Sequence, residues 1–224
     1  MKIGRLNLIK VTIPLLIMLL IIFSFMMYGV MTNCHLLKVI DKSSLEWFTQ
    51  CFGHPSRVYE GDILNLYMTF CATVGDVSTV LKLASIVVIC LFIFKNKHQA
   101  IWVLLMTTGT WINYLIKQTV ERQRPYSHLA IDSGWSFPSG HSNASTLLFL
   151  VIMLTIVPVI KVKVIRIIII IVTSIIWISI LFCRLYFHAH YLTDVIGGGT
   201  LAVVWVLLFI MAYPLFTLRN NKKN

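Results

Sequence analysis

The stretch Arg184-Leu-Tyr-Phe-His-Ala-His-Tyr-Leu-Thr-Asp194 places an arginine, two histidines and an aspartate between two long apolar runs. If the chain is helical from Tyr191 onward, His190 and Asp194 are spaced i, i+4 and share a helix face. A carboxylate there accepts a proton from one ring nitrogen, which fixes the tautomer and leaves the other nitrogen free as a nucleophile or base. The same residue types are also common at a membrane boundary. Alone, this stretch indicates either a catalytic site or an interfacial turn.

The composition of the whole chain is that of a membrane protein. Of its 224 residues 58% are hydrophobic and only 12% are charged, with a mean hydropathy of +0.85. Soluble domains carry about 25% charged residues, and a helix needs about 20 apolar residues to cross a bilayer. We therefore predict an all-α, polytopic membrane protein. The net charge of +11 lies in short clusters between apolar runs, which is typical of membrane topology rather than of nucleic-acid binding.

Six apolar stretches predict six transmembrane helices that form one domain over residues 1–224. Three consecutive glycines near the start of the sixth helix favour close helix contact. The expected spans are 11–31, 66–94, 100–116, 141–160, 167–182 and 191–218.

The distribution of basic residues predicts the orientation of these helices. With six spans both termini lie on one side, together with the turns 95–98 and 161–166, and all four segments are basic. The positive-inside rule makes that side cytoplasmic. The loops 32–65 and 117–139 and the turn 184–194 then share the extracytoplasmic face, so every chemically rich stretch meets there.

The loop after the first span carries two expectations. Leu45, Phe48 and Phe52 form an apolar edge that predicts a short helix lying at the membrane interface. Cys34 and Cys51 lie in the same loop and would be able to pair if it faces an oxidising space. The five cysteines show no CxxC or metal-ligand spacing.

The second span contains two charged residues, Asp76 and Lys82. Charges at membrane depth are costly and are functional candidates by default. We expect Asp76 to line a cleft, and Lys82 to pair or to extend to the interface.

Two further stretches add phosphate-binding chemistry. Lys117 and Arg124 lie at the outer mouth of the third span, and Ser139 and Gly140 open the fourth. Free N–H groups at a helix start form an anion site, and the imidazole of His141 then lies beside the bound anion.

Arg184 completes a set of cations that suits a phosphoryl group, since Arg binds its oxygens in pairs and Lys adds a point charge. Each cation alone would be an ordinary interfacial anchor, and Pro-Ser-Gly alone an ordinary turn. Three such clusters on one predicted membrane face favour a phosphate site.

Taken in order, the motifs are Lys117-x6-Arg124-Pro125, Pro138-Ser-Gly-His141 and Arg184-x5-His190-x3-Asp194. They resemble those of the type 2 phosphatidic acid phosphatases, the integral-membrane branch of the superfamily that includes the vanadium haloperoxidases. The resemblance covers 117–194 by motif and most of the chain by layout. Cys183 stands where that family usually has Ser, which puts a phosphate contact there in doubt. His188 falls between motif positions and is interpreted as a neighbour.

The resemblance implies a metal-independent phosphohistidine mechanism without a cofactor. His190 attacks phosphorus, Asp194 orients it, and His141 protonates the leaving oxygen and later activates water. Apart from Asp132 and Asp194 no carboxylate follows Glu121, so no magnesium cluster is evident. The phosphoryl oxygens are held by Lys117, Arg124, Ser139, Gly140 and Arg184.

The implied function is an enzyme of a bacterial cell membrane that hydrolyses a lipid phosphate or diphosphate at the outer face. Undecaprenyl diphosphate and phosphatidylglycerol phosphate are the expected substrates, and an outward-facing site favours the first. The alternatives are a lipid phosphotransferase and a non-catalytic lipid-binding or transport protein. A haloperoxidase suits a lipid-facing site less well.

Overall fold

A computed structural model describes the backbone of residues 5–220 and the side chains of residues 10–212. This part of the chain is helical and contains no strand. The basic residues Lys2, Lys222 and Lys223 lie outside it. The helices are α1 (Arg5–Met31), α2 (His35–Phe52), α3 (Ile63–Val74), α4 (Val77–Ile93), α5 (Lys97–Thr107), α6 (Gly109–Val120), α7 (Gly140–Val151), α8 (Lys163–Tyr186) and α9 (Leu192–Asn220), and a π-helical turn (Ile152–Ile156) and a 3₁₀ turn (Val157–Val159) follow α7.

Four helical segments among the described residues are long and apolar enough to cross a membrane, and a bent helix pair gives a fifth. They match five of the six expected spans and confirm the all-helical membrane class. The four straight segments are Lys10–Met31, Gly140–Val159, Lys163–Tyr186 and Leu192–Ala212.

The second expected span is not one continuous helix. Its halves, α3 and α4, meet at an angle of 60°, because the backbone of Asp76 is extended (φ −55°, ψ 133°). The prediction of a single helix over 66–94 is therefore wrong at this point. Lys82, one turn into α4, is exposed on the helix surface.

The third expected span, 100–116, is also divided. It lies in α5 and α6, which are separated at Thr108. The hydroxyls of Thr107 and Thr108 bond to the carbonyls of Leu104 and Leu105, and such bonds compete with regular helix hydrogen bonding. Neither helix reaches the length of a span alone, so the six-span count stays a prediction.

The loop after α1 holds a longer helix than expected. The apolar edge of α2 packs on α8. Phe48 is buried, and its ring centroid lies 5.1 Å from that of Phe182. The ring centroid of Phe52 lies 5.3 Å from that of Tyr186. This apolar edge of α2 thus faces protein. Burial of aromatic surface against α8 stabilises this position.

The conditional pairing of Cys34 and Cys51 does not occur in the structure, and both thiols are free. Cys34 lies at the start of α2 and Cys51 in its last turn. At a rise of about 1.5 Å per residue the helix holds them roughly 25 Å apart, whereas a disulfide needs Cα atoms within about 7 Å.

Helix α7 lies at the centre of the bundle and packs against α4, α5, α6, α8 and α9. The most extensive contact is with α9, where the expected small-residue contact is confirmed. A Cβ on Gly198 would clash with the carbonyl oxygen of Ser139, and one on Gly197 would lie 2.7 Å from the ring of Phe137. These glycines allow the start of α7, and with it His141, to lie directly against α9.

Candidate active site

A cavity of about 210 Å³ opens at the start of α7. It contains both motif histidines and two of the predicted phosphate-binding cations. The residues that line it are Val77, Thr110, Asn113, Tyr114, Lys117, Arg124, Gly140, His141, Asn143 and His190.

His190 lies in the turn between α8 and α9, where the carbonyl of Arg184 accepts the N–H groups of Ala189 and His190. Its Nε2 is 3.2 Å from Nη1 of Arg124. A guanidinium can only donate, so Nε2 carries the lone pair and Nδ1 the proton. Burial, followed by the charges of Lys117 and Arg124, holds the pKa of His190 well below its ordinary value. The result is a neutral imidazole with its lone pair directed into the cavity.

The carboxylate of Asp194 reaches His190 through a third residue. Because α9 begins at Leu192, His190 lies outside the helix, and its Nδ1 is 3.5 Å from Oδ2 of Asp194. Ser136 donates to that oxygen at 2.5 Å, and its own Oγ is 3.2 Å from Nδ1. The expected direct pair is thus a hydrogen-bonded series of three side chains, and Ser136 was not predicted from the sequence.

Arg122 neutralises the buried end of this hydrogen-bonded series. Its Nη1 donates to Oδ1 of Asp194 and its Nη2 to Oδ2 of Asp41, both at 2.6 Å. Asp41 also accepts from the backbone N–H and the hydroxyl of Thr193. Helix α2 is thereby tied to the start of α9. Sequence reasoning missed Arg122 and Asp41, although Arg122 lies two residues before the motif residue Arg124.

His141, the second motif histidine, is held by residues from the start of α4 and from the loop after α2. Its Nε2 is 2.7 Å from Oδ1 of Asp76, whose Oδ2 accepts from Nη2 of Arg57 at 2.6 Å. Asp76 is thus not among the residues that line the cavity, where it was expected, but it contacts His141, which does line it. Arg57, in the loop after α2, was not predicted.

Arg184 is fully buried and pairs with Asp132, whose Oδ1 lies 2.6 Å from Nη2. Its Nε and Nη1 atoms are also buried and have no hydrogen-bond partner among the described residues. Buried donors without partners are costly. These two atoms could therefore donate to a further acceptor, although Arg184 is not among the residues that line the cavity.

Lys117 and Arg124 are oriented by backbone carbonyls. Nζ of Lys117 donates to the carbonyl of Trp135 at 2.7 Å. Arg124 donates to the carbonyls of Ala189, Gly134 and Ser133 at 2.7 to 2.9 Å. Neutral partners leave the positive charge of both residues available to an anion.

The helix start at Ser139 and Gly140 is only partly as predicted. Ser139 caps α7, since its hydroxyl accepts from the N–H of Ser142. However, Ser139 is fully buried and its own N–H donates to the carbonyl of Asp194. The structure thus gives Ser139 a supporting position, whereas Gly140 lines the cavity.

Neither Cys183 nor His188 is among the residues that line the cavity. The thiol of Cys183 donates to the carbonyl of Ile180 and packs in the apolar cluster around Phe187. His188 is buried against His54, with ring centroids 5.2 Å apart. His188 is thus a neighbour of the site, as interpreted, and Cys183 is part of the core.

Comparison with known proteins gives consistent matches. A model of the PAP2 superfamily matches residues 99–217, which is more than half of the chain and includes all three motifs. Phosphatidylglycerophosphatase B of Bacillus subtilis (strain 168) is 30% identical over 153 residues, which cover 66% of this chain and 73% of that protein.

A solved structure shares the fold. It is described as the crystal structure of the first transmembrane PAP2 type phosphatidylglycerolphosphate phosphatase from Bacillus subtilis, and it aligns with a TM-score of 0.72 at 20% identity over 89% of this chain and 95% of that one. Family match, curated relative and fold agree with the motif geometry, and the chain belongs to the PAP2 superfamily.

Proposed function

We propose that this protein is a membrane lipid phosphatase that hydrolyses a lipid phosphate or diphosphate through a phosphohistidine on His190. The observation that carries the proposal is the shared cavity of His190, His141, Lys117 and Arg124. It combines a nucleophile whose Nε2 is unprotonated, a second histidine for proton transfer, and cations for the phosphoryl oxygens. The likeness to phosphatidylglycerophosphatase B supports the phosphatase chemistry.

In the first step Nε2 of His190 attacks phosphorus, and the bond between phosphorus and the lipid oxygen breaks. His141 gives its proton to that oxygen, so the lipid product leaves as an alcohol, or as a phosphate when the substrate is a diphosphate. Charge on the phosphoryl oxygens is stabilised by Lys117, Arg124 and Arg184. Preorganised donors of this kind supply most of the rate enhancement in phosphoryl transfer.

In the second step water replaces the lipid. His141, now neutral, takes a proton from the water as its oxygen attacks phosphorus, and the bond between phosphorus and Nε2 of His190 breaks. Inorganic phosphate is released and both histidines return to their starting protonation states. One group serves as acid and then as base, as microscopic reversibility requires.

We propose that the reaction needs no metal ion, because the carboxylates around the site are bonded to other groups. Asp132 pairs with Arg184, and Asp194 pairs with Arg122 and Ser136. Asp76 bonds to Arg57 and His141.

The substrates to be compared are phosphatidylglycerol phosphate and undecaprenyl diphosphate. The first is supported by the similarity to phosphatidylglycerophosphatase B. The second would be favoured by a site on the extracytoplasmic face, as proposed below, because undecaprenyl diphosphate is a lipid carrier that is left at that face after use. A lipid tail has a neutral path beside Val77, Thr110 and Tyr114, of which Tyr114 is half exposed on α6.

The proposed topology has six spans in one domain over residues 1–224, with cytoplasmic termini and the site on the extracytoplasmic face. Helices α5 and α6 together form the third span, since 97–120 measures roughly 36 Å if helical throughout. The basic turns 95–98 and 161–166 support this orientation.

The test of activity is phosphate release by detergent-purified protein in the presence of EDTA. Phosphatidylglycerol phosphate, undecaprenyl diphosphate and phosphatidic acid are compared. Release should persist in EDTA, be abolished in His190→Ala, and be retained in His54→Ala, which alters an exposed histidine outside the cavity. Phosphoryl transfer to an added lipid acceptor without phosphate release would instead establish a transferase.

The test of topology uses the exposed Cys51 of α2. A variant that keeps Cys51 but lacks the other cysteines should react with a membrane-impermeant maleimide on intact cells. In a second variant, Asn96→Cys in the turn before α5 is the only cysteine. This variant should react only after the cells are permeabilised. The reverse pattern would place the site in the cytoplasm.

A further inference from the structure

Asp76 occupies the N-cap position of α4 without capping the helix. Its carboxylate makes no hydrogen bond to the first N–H groups of α4. Asp62, at the same position of α3, accepts the N–H of Asn65 at 2.7 Å, as N-cap aspartates usually do. The difference shows that the carboxylate of Asp76 is used elsewhere.

Both oxygens of Asp76 face polar partners from other parts of the chain. Oδ1 is 2.7 Å from Nε2 of His141, and Oδ2 is 2.6 Å from Nη2 of Arg57. The break between α3 and α4 produces this placement, because an extended residue at the bend projects its side chain toward the start of α7. In a continuous helix Asp76 would have no such freedom.

The hydrogen bond between Asp76 and His141 determines which ring nitrogen of His141 exchanges a proton with the substrate. An ionised carboxylate is an acceptor only, and Arg57 keeps Asp76 ionised, so Nε2 of His141 carries a hydrogen. Because the bond to Asp76 occupies Nε2, Nδ1 is the ring atom left to give a proton to the leaving oxygen.

We infer that Asp76 is a positioning residue for His141 and that Arg57 holds Asp76 in place. The three residues form a second hydrogen-bonded series, parallel to that of Asp194, Ser136 and His190, which serves the acid–base histidine as the other serves the nucleophile. The inference rests on the proposed function and adds to it the residues that prepare proton transfer. A carboxylate that accepts from a histidine fixes its tautomer and raises its basicity.

The first test separates proton transfer from folding by means of the leaving group. A lipid alkoxide must be protonated as it leaves, whereas p-nitrophenolate leaves without a proton. In Asp76→Asn we expect single-turnover cleavage of the lipid phosphate to fall about 10- to 100-fold, while formation of the phosphoenzyme from p-nitrophenyl phosphate falls less than about threefold. Asp76→Glu should recover part of the lipid activity.

Two further variants are compared with Asp76→Asn on the same two substrates. Arg57→Gln should show a smaller loss with the same leaving-group dependence. Asp62→Asn removes the matched N-cap carboxylate and should leave both rates unchanged. Equal losses on both substrates in Asp76→Asn would assign the residue a structural role, and no loss on either would remove it from the site.

The second test does not depend on activity. Nitrogen NMR of ¹⁵N-histidine-labelled protein in detergent, recorded at a pH at which the His141 imidazole is neutral, should show its single proton on Nε2 in the wild type and a shift of that proton toward Nδ1 in Asp76→Ala. An unchanged tautomer in Asp76→Ala would overturn the inference whatever the enzyme does to lipids. If the wild type releases no phosphate but Asp76→Ala still shows the tautomer shift, the result would count against the proposed function alone.

Discussion

Oδ2 of Asp194 lies 3.5 Å from Nδ1 of His190, and the hydroxyl of Ser136 bridges the two. Ser136 has one proton and gives it to Asp194, so its oxygen accepts the proton of Nδ1. Arg124 donates to Nε2 on the other side of the ring. Both contacts select the same tautomer, which directs the lone pair of His190 toward the cavity.

Ser136→Ala should lower kcat about 10- to 100-fold, the usual cost of removing a partner that orients a functional imidazole. The ring of His190 keeps its place but loses the acceptor for Nδ1. Ser133→Ala is the matched control, because that exposed serine contributes only its carbonyl to Arg124. Steady-state phosphate release checks both variants. Equal activity of Ser136→Ala and wild type would show that Asp194 acts on His190 directly.

Arg122→Gln should destabilise the fold by about 3–5 kcal/mol, because it leaves the buried carboxylates of Asp194 and Asp41 without their cation. The measurement is the free energy of unfolding in detergent. Glu46→Gln provides the control, since it breaks an exposed pair with Lys42 at 3.7 Å and should cost about 0.5 kcal/mol or less. Similar costs for the two variants would mean that the buried network does not stabilise the protein.

Arg184→Lys should weaken inhibition by orthovanadate, a phosphate analogue, about a hundredfold. The lysine keeps the charge but cannot replace the two unpartnered guanidinium nitrogens, each of which offers a charge-assisted hydrogen bond of about 1.5–3 kcal/mol. Arg166→Lys makes the same change near the other end of α8 and should leave inhibition unaltered. If both variants bind orthovanadate as the wild type does, Arg184 serves only to hold Asp132.

His190 should stay neutral at mildly acidic pH. An ordinary histidine with a pKa of about 6.5 is roughly 90% protonated at pH 5.5. Burial and the nearby cations lower the pKa of His190, so its neutral, nucleophilic form persists as the pH falls. Nitrogen NMR of labelled histidine from pH 7.5 to 5.5 tests this, with His190→Gln to assign the signal. A midpoint near 6.5 would contradict it.

The sequence predicted the motif residues but not the residues that orient them. Arg57 lies 19 positions from Asp76, and Asp41 lies 81 positions from Arg122. Such contacts depend on how helices pack, and no local spacing reveals them. The i, i+4 spacing alone also predicted a direct contact between His190 and Asp194. It does not reveal that α9 begins two residues after His190, which leaves the histidine outside the helix.

The breaks within the second and third spans were missed for a related reason. Hydropathy is averaged over a window about as long as a span, and the apolar residues on either side of Asp76 and Thr108 conceal a local change of direction. The break at Asp76 is nevertheless what brings its carboxylate to His141. A charged residue inside an apolar run was the available signal. It indicated a functional position for Asp76 but neither the bend nor the contact with His141.

Two adjacent glycines of α9 should respond oppositely to the same substitution. In Gly198→Ala the new methyl group would clash with the carbonyl of Ser139 and approach the N–H of Asn143. The start of α7 would have to move, at a cost of about 1–3 kcal/mol, and kcat should fall because His141 moves with it. In Gly199→Ala the nearest atom, Oγ1 of Thr146, lies at 3.7 Å, so the methyl group fits.

Gly199→Ala should therefore keep full activity and be up to about 1 kcal/mol more stable, since alanine favours the helix. Thermal unfolding and phosphate release of the two variants, measured side by side, check this. A loss of stability in Gly199→Ala as large as in Gly198→Ala would show that the whole glycine run needs close backbone contact. A neutral Gly198→Ala would mean that α7 is free to shift against α9, and that the position of His141 does not depend on this contact.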